Sequence, residues 1–329
     1  RPPSTRESKE HDPRFYACAP HGTTYQKGLT MSSSAATAEL AIQAKTAATR
    51  SEGYWAGVWK RLKRDPVTIG CATVLFVMLV VIVFAPFFAP HDPYQGSMMR
   101  RLRPLGTENH ILGTDELGRD MLTRLIFGGR LSWFMGILPV AMAFVIGTFL
   151  GVVAGFAGGK LNMLIMRVTD VFYAFPSVLL AVAISGALGA GIFNAILALT
   201  LVFVPPIIRV AESVTTGVRN LDFVDAARAS GASAFTIVRV HVLGNVLGPI
   251  FVYSTSLISV CMILSSGLSF LGLGTRPPEA EWGLMLNTLR TAIYVQPWVA
   301  VLPGACIFVT SICFNLVSDG LRQAMDVKG

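Results

Sequence analysis

Apolar and polar positions separate here on the scale of whole segments rather than single residues. Five stretches carry no Asp, Glu, Lys or Arg: 66–90, 131–159, 171–208, 242–275 and 291–318. Each is long enough for the about 20 apolar residues that take a helix through a bilayer. None has the polar face that a helix covering a soluble core needs. The pattern predicts six spanning helices, at about 66–88, 131–155, 161–186, 192–210, 246–271 and 298–317. The third must begin before Arg167 and Asp170, because 171–186 alone is short, and Gly186, Gly189 and Gly191 divide it from the fourth by a tight turn. Arg167, Asp170, Arg209 and Glu212 then fall at helix ends, and the bilayer midplane is expected to be nearly free of charge.

The connecting segments have patterns of their own. Around 54–64, Trp55 and Trp59 lie four apart, with Lys60, Arg61, Lys63 and Arg64 on the other side, which predicts a short helix lying on the membrane. Segment 89–130 is too polar to span. Within it Leu117, Met121, Leu122, Leu125 and Ile126 recur at helical spacing, and Asp115, Glu116 and Asp120 precede Arg124 and Arg130. That order suits a helix dipole and predicts an amphipathic helix over 115–127 leading into the second span. Residues 1–30 are polar and rich in Pro and charge. They are read as disordered, an expression remnant or an upstream extension, because Met31 followed by Ser32, Ser33 and Ser34 resembles a natural start. Residues 1–65 are thus expected to form a cytoplasmic N-terminal segment and 66–329 the membrane domain.

Composition supports a membrane protein: only 14% of residues are charged, against about a quarter in soluble domains. The net charge of +8 would suggest nucleic acid in a soluble protein. No run pairs basic residues with exposed aromatics, so nucleic acid is not an expected partner, and the basic flanks fit anionic lipid headgroups instead. Lys and Arg are moderately more numerous in the segments that an N-inside topology puts in the cytoplasm, which predicts both termini there. Of the five cysteines four lie in apolar runs, and none has metal-site or CxxC spacing. Gly158-Gly159-Lys160-Leu161 lacks the upstream glycine and the hydroxyl of a phosphate loop. No nucleotide site, cofactor, metal or catalytic set is expected in this chain. Gly147, Gly151 and Gly155 give the second span a face that admits a closely packed helix, in this chain or in a partner.

Between the fourth and fifth spans, Asp222-Phe223-Val224-Asp225-Ala226-Ala227-Arg228-Ala229-Ser230 is followed by Gly231-Ala232-Ser233 and later by His241-Val242-Leu243-Gly244. Asp222 can cap a short helix, Gly231 can end it in a left-handed conformation, and Ser233 can cap the next. Two short helices meeting at an elbow result, the first of them bare enough to dock in a groove.

This segment resembles the EAA loop of ABC importer permeases: Asp225-Ala226-Ala227, three residues, Gly231, nine residues, then His241-Val242-Leu243. Asp225 stands for the usual Glu and Gly244 for the usual Pro. Leu112-Gly113-Thr114-Asp115-Glu116-Leu117-Gly118-Arg119-Asp120 is similar to a hallmark of the C-type permeases of dipeptide, oligopeptide and nickel importers. So are Leu268-Ser269-Phe270-Leu271-Gly272-Leu273-Gly274 with Pro277-Pro278 and Trp282-Gly283, and Asn315-Leu316-Val317-Ser318-Asp319-Gly320-Leu321-Arg322. The resemblance covers 66–326. It implies an all-α, type I, MetI-like fold with a cytoplasmic coupling loop in which Asp222, Asp225, Ala226, Ala227, Arg228, Gly231 and His241 face an ATPase. It implies a homologous B-type permease, two ABC ATPases that use ATP and Mg, and an extracytoplasmic solute-binding protein as partners, in a bacterial inner membrane. The solute implied is a di- or oligopeptide, or within the family nickel, an opine, glutathione or a sugar. An ion-coupled secondary transporter is the alternative outside the family.

Overall fold

The computed structural model describes residues 54–325; the expectations for 1–30, Met31 included, lie outside them. From Val58 onward the chain forms one compact unit. After α1 (Tyr54–Leu62), Asp65 accepts from the Val67 amide at 3.1 Å and Pro66 takes the first helical position, so α2 (Pro66–Val83) starts sharply. The short α3 (Ala85–Phe88) follows. The carbonyls of Ile82 and Val83 at the end of α2 accept from the Arg130 guanidinium at 2.9 and 2.8 Å, which supplies donors to a helix end that has none of its own.

Segment 89–120 holds only a 3₁₀ turn, Met98–Arg100, and the expected helix over 115–127 begins later, with α4 (Met121–Ala157). The turn before it outcompetes the helix. Asp115 Oδ1 accepts from the amides of Leu117 and Arg119 at 2.8 and 2.9 Å, holding the backbone in a side-chain-capped turn. Gly118 has φ +70°, and any Cβ there would run into the backbone of Ser97. Asp120 then caps α4 through the Thr123 amide at 2.8 Å. With 37 residues α4 is about 55 Å long, so its first turns extend beyond the about 30 Å apolar layer.

The third expected span is not one straight helix. It is α5 (Gly159–Tyr173) and α6 (Ser177–Leu188), bent by 88°. Pro176 accounts for the bend: it has no amide hydrogen to donate, and its ring disfavours a helical conformation for the residue before it. Next come α7 (Ile192–Arg219), α8 (Asp222–Ala229) and α9 (Ala234–Thr236), which runs through a π turn, Ile237–Val242, into α10 (Leu243–Phe270). The short α11 (Trp282–Thr288), a 3₁₀ turn and α12 (Pro297–Met325) complete the described chain. Among the described residues five helices are long and apolar enough to cross a membrane, six with the bent pair counted as one span. α7 and α12 outrun the expected ends at 210 and 317, and the helical run at 234–270 starts ahead of the expected 246. A helix needs no apolar residues once it has left the bilayer, so hydropathy underestimates its length.

Two apolar clusters hold the helices. One joins Val140 and Val152 of α4, Leu199 and Ile207 of α7, Val224 of α8, and Val246 and Ile250 of α10. The other joins Leu75 and Ile82 of α2, Trp133 of α4, Trp282 and Met285 of α11, and Val299 and Ile307 of α12. The glycine face of α4 packs on α7 of this same chain. A Cβ at Gly147 would stand 2.8 Å from Ile207, at Gly151 2.5 Å from the Ala211 Cβ, and at Gly155 2.8 Å from Thr215. Where α2 starts, Gly320 of α12 lies against Thr68, and Arg61 donates to the Ala324 carbonyl at 3.3 Å. The start of α2 and the end of α12 therefore share one face of the molecule.

Candidate functional site: an elbow on one face, a braced cap on the other

The elbow is built on α8. Its first residue is Asp222 rather than a residue capped by it: Leu221 occupies the cap position and offers no side-chain acceptor. Asp222 and Asp225 put two carboxylates in the first turn, where the helix dipole favours them. Asp225 Oδ1 pairs with Arg228 at 3.0 Å, both exposed, and the Arg228 guanidinium also lies 5.8 Å from the Phe156 ring at the end of α4. Val224 is fully buried and Ala227 half-buried against the first cluster. Asp222, Phe223, Asp225, Ala226, Arg228 and Ala229 face outward.

The helix ends at Gly231. Its φ is +81°, and nothing stands within 4 Å of where its Cβ would be, so the backbone angle rather than space calls for glycine. The Ala232 amide donates to the Ala227 carbonyl at 3.1 Å and the Gly231 amide to that of Arg228 at 3.0 Å. Together these make a Schellman turn, which satisfies the carbonyls the helix end leaves open. Ser233 Oγ then accepts from the Thr236 amide at 3.2 Å and starts α9. The π turn brings half-buried His241 beside Phe223, ring centroids 6.4 Å apart, while Ile237 and Val242 go into the core. All seven sequence-predicted residues thus lie on one elbow. Exposed Leu221, Phe223 and Phe235, not singled out in the sequence, lie on or beside it; three large apolar residues in and around short capped helices were the available signal. Behind the elbow, Asn162 of α5 donates to Glu212 of α7 at 2.7 Å and to the Ala154 carbonyl at 3.2 Å, and Arg219 donates to the Gly155 carbonyl at 3.4 Å. Just past the elbow, a Cβ at Gly248 of α10 would stand 2.8 Å from the Met325 side chain at the end of α12, which places the elbow on the face shared by the start of α2 and the end of α12.

The opposite face is braced by charge. Asp115 Oδ2 receives Arg119 Nε at 2.7 Å and has Arg124 Nε at 3.4 Å. Arg124 also donates to the carbonyls of Pro93 and Glu279 at 3.0 and 3.1 Å, and Tyr94 to Glu279 Oε2 at 3.1 Å. The charges around 115 therefore fold the segment 89–120 onto the 274–296 connection, as Glu116 does through Thr291. Glu281, not singled out in the sequence, is buried beneath this brace. It caps α11 through the amides of Gly283 and Leu284, both at 2.8 Å, and accepts from Ser132 Oγ at 3.1 Å. Burial nevertheless pushes its carboxyl above the usual range. Glu is an uncommon cap, so composition carried no sign of it.

Arg209, with Asp170, lies one turn of α7 further from the elbow than the Asn162–Glu212 contact. Because α7 runs on to Arg219, Arg209 lies about 15 Å from that end. Arg209 pairs with Asp170 at 2.6 Å and stacks on Tyr173 at 4.7 Å, beside the α5–α6 bend. A hollow of about 230 Å³ lined by Tyr173, Phe175, Pro206 and Val260 adjoins it. Val260 also lines a groove of about 670 Å³ between α10 and α12, with Ser259, Ser266, Ser311 and Asn315 among its apolar walls.

Residues 147–328, which include the elbow, match the family described as binding-protein-dependent transport system inner membrane component. The chain belongs to that family. Residues 53–104 match the N-terminal TM domain of oligopeptide transport permease C. The probable D,D-dipeptide transport system permease protein DdpC of Escherichia coli strain K12 is 38% identical over 271 residues, 82% of this chain and 90% of that protein. The glutathione transport system permease protein GsiD of Pectobacterium atrosepticum is 36% identical, covering 83% and 91%. The di/tripeptide transport system permease protein DppC of Pseudomonas aeruginosa is 40% identical, covering 78% and 86%. An inward-facing structure of the MetNI methionine ABC transporter shares the fold, with a TM-score of 0.52 at 20% identity over 63% of this chain and 98% of that one. This family member is therefore an all-α permease subunit of a binding-protein-dependent ABC importer in the inner membrane.

Proposed function

We propose that this permease forms half of the passage for di- or oligopeptides, with the elbow as the point where an ATPase subunit pushes and pulls. The observation that carries the reading is the construction of the elbow itself. Its outer side is a short helix of small and acidic residues, and its inner side is locked by Val224, Ile237 and Val242 into the core of α4, α7 and α10. A displacement of α8 would pass to those spans as a rigid body, because a close-packed core transmits strain rather than absorbing it. ATP and Mg would be held by the two ATPase subunits; this chain supplies no chemistry. A homologous B-type permease would complete the passage, and a solute-binding protein would deliver the peptide to the face that carries the 89–120 segment. Both chain termini would then be cytoplasmic.

The peptide assignment rests on the peptides for which the relatives are named and on one physical feature. A zwitterionic peptide needs both signs of charge where it crosses apolar walls, and Asp170 with Arg209 offers both beside the hollow at the α5–α6 bend. The test is ATPase activity of the reconstituted complex, with peptide-loaded and with empty binding protein. Several-fold stimulation by the loaded form is expected. ATP-independent, ion-gradient-driven uptake by this chain would instead mark a secondary transporter.

A further inference from the structure

Three side chains from separate points of the segment between α3 and α4 converge. His91 follows α3, His110 lies in the loop, and Asp120 caps α4. One ligand atom from each, two imidazole nitrogens and a carboxylate oxygen, lie within 4.8 Å of one another. His110 Nδ1 is 2.9 Å from Asp120 Oδ1, His91 Nδ1 is 3.9 Å from Asp120 Oδ2, and the two rings are 4.9 Å apart. His110 and Asp120 are buried, while the His91 side chain is 36% exposed and open to solvent. The His91 amide donates to Thr123 Oγ1 at 3.3 Å, which holds it to the first turn of α4.

Two features go beyond a hydrogen-bonded trio. The first is His110 Nε2, which is buried without a partner. A carboxylate at Asp120 only accepts, so Nδ1 of His110 carries the proton and Nε2 of the neutral ring is a lone pair with nothing to receive. Native interiors rarely leave such an atom unexplained. An ion seated beside Asp120 can reach only the Nδ1 side of this ring, so it replaces the Nδ1 proton, the hydrogen moves to Nε2, and Nδ1 becomes the third ligand atom with His91 Nδ1 and an Asp120 oxygen. The second is His91. At 3.9 Å it is too far from Asp120 for a hydrogen bond, yet it is near the roughly 3.4 Å that separates ligands held about 2.05 Å from one tetrahedral zinc.

We propose that His91, His110 and Asp120 bind a divalent transition ion of the Zn²⁺ class, with its remaining position open to solvent beside His91. Imidazole nitrogen and carboxylate oxygen together suit this class over Ca²⁺ or Mg²⁺, which take oxygen ligands. The ion ties both ends and the middle of the 89–120 segment together, stiffening it as a clip that closes a long loop does.

The test uses the transporter complex containing the full chain, stripped with a chelator and titrated with Zn²⁺ against a chromophoric competitor. His91 is the residue to change, because its side chain is solvent-open and H91A and H91Q should assemble with unchanged basal ATPase activity. Loss of an outer-shell partner alone costs about 10- to 100-fold in metal affinity, so loss of a ligand should cost about 100-fold or more. One Zn²⁺ per copy of the chain is expected above the H91A background, and Co²⁺ should give the intense visible bands of a tetrahedral site only in the wild type. Zn²⁺ should also slow trypsin at the exposed Arg100, Arg101 and Arg103 in wild type but not in H91A. Equal Zn²⁺ binding by wild type and both variants, or cleavage indifferent to Zn²⁺, overturns the assignment.

Discussion

Gly231 is the residue on which the elbow turns, and its demand is purely one of backbone. A φ of +81° with open space around the missing Cβ costs a non-glycine residue about 1–2 kcal/mol, roughly a factor of ten in population. Asn tolerates that region and Val does not. G231V is therefore expected to assemble, hydrolyse ATP and lose about tenfold in peptide uptake, while G231N keeps most of it; uptake and ATPase rates in proteoliposomes decide, and normal uptake by G231V would remove the elbow from the mechanism. Glu281 makes a different prediction. Its carboxyl is held above its ordinary value of 4.5 by burial, against the pull of the Gly283 and Leu284 amides and the serine hydroxyls. Folding thus favours its protonated form. That contribution to stability is complete below 4.5 and is lost as pH rises through the raised value. E281Q keeps an oxygen for the cap but cannot ionise. Its melting temperature should fall less than the wild type's as pH is raised from about 5 to 8. Parallel curves would show that Glu281 stays charged or stays neutral throughout. Gly231 was legible in the sequence because its neighbours spell a helix end. Glu281 was not, because nothing local marks a buried carboxylate whose partners lie across the fold.

At the scale of elements, the glycine face of α4 sets how closely α7 can approach. A Cβ at Gly151 meets the Ala211 Cβ at 2.5 Å and the Ile208 carbonyl at 2.7 Å, whereas one at Gly217 of α7 meets nothing within 4 Å. G151A should already lower the melting temperature, G151L should lower it further through overpacking of about 1–3 kcal/mol or more, and G217A should leave it unchanged or slightly raised. Thermal unfolding of the three purified variants checks the order, and a stable G151L would mean that α4 and α7 are not in contact. The existence of the spans was readable because uncharged runs of this length have few other uses. Their shape was less so. The 88° bend at Pro176 was missed because an apolar run reads the same whether it continues straight or turns. The late start of α4 was missed because Leu117, Met121 and Leu125 keep helical spacing in the sequence, while Asp115 and Gly118 bind the chain into a turn. The Asp170–Arg209 pair was not read because its partners lie on two helices whose mutual packing the sequence does not display.

For the whole molecule, the decisive question is which face lies outside. The contacts sort the chain into two faces without reference to a membrane. One carries the elbow, the Asn162–Glu212 contact, the start of α2 and the end of α12; the other carries the 89–120 and 274–296 segments. The distribution of Lys and Arg favours the first face as cytoplasmic, but only modestly, because the second holds Arg100, Arg101 and Arg103. Cysteines placed singly can read the faces directly. Asp120 is unsuitable, being buried as the cap of α4, and Glu116 is engaged with Thr291. Ile111, 69% exposed, and Leu117, 49% exposed, have free side chains on the second face, and Ala226 is exposed on the elbow. In a background with Cys18, Cys71, Cys261, Cys306 and Cys313 replaced by Ala or Ser, a membrane-impermeant maleimide added to right-side-out vesicles should label I111C and L117C at once. A226C should react only after the membrane is opened, and should be shielded when the ATPase subunits are present. The reverse labelling order would put the elbow outside, where no ATPase could reach it, and the coupling role of α8 would fall with the topology.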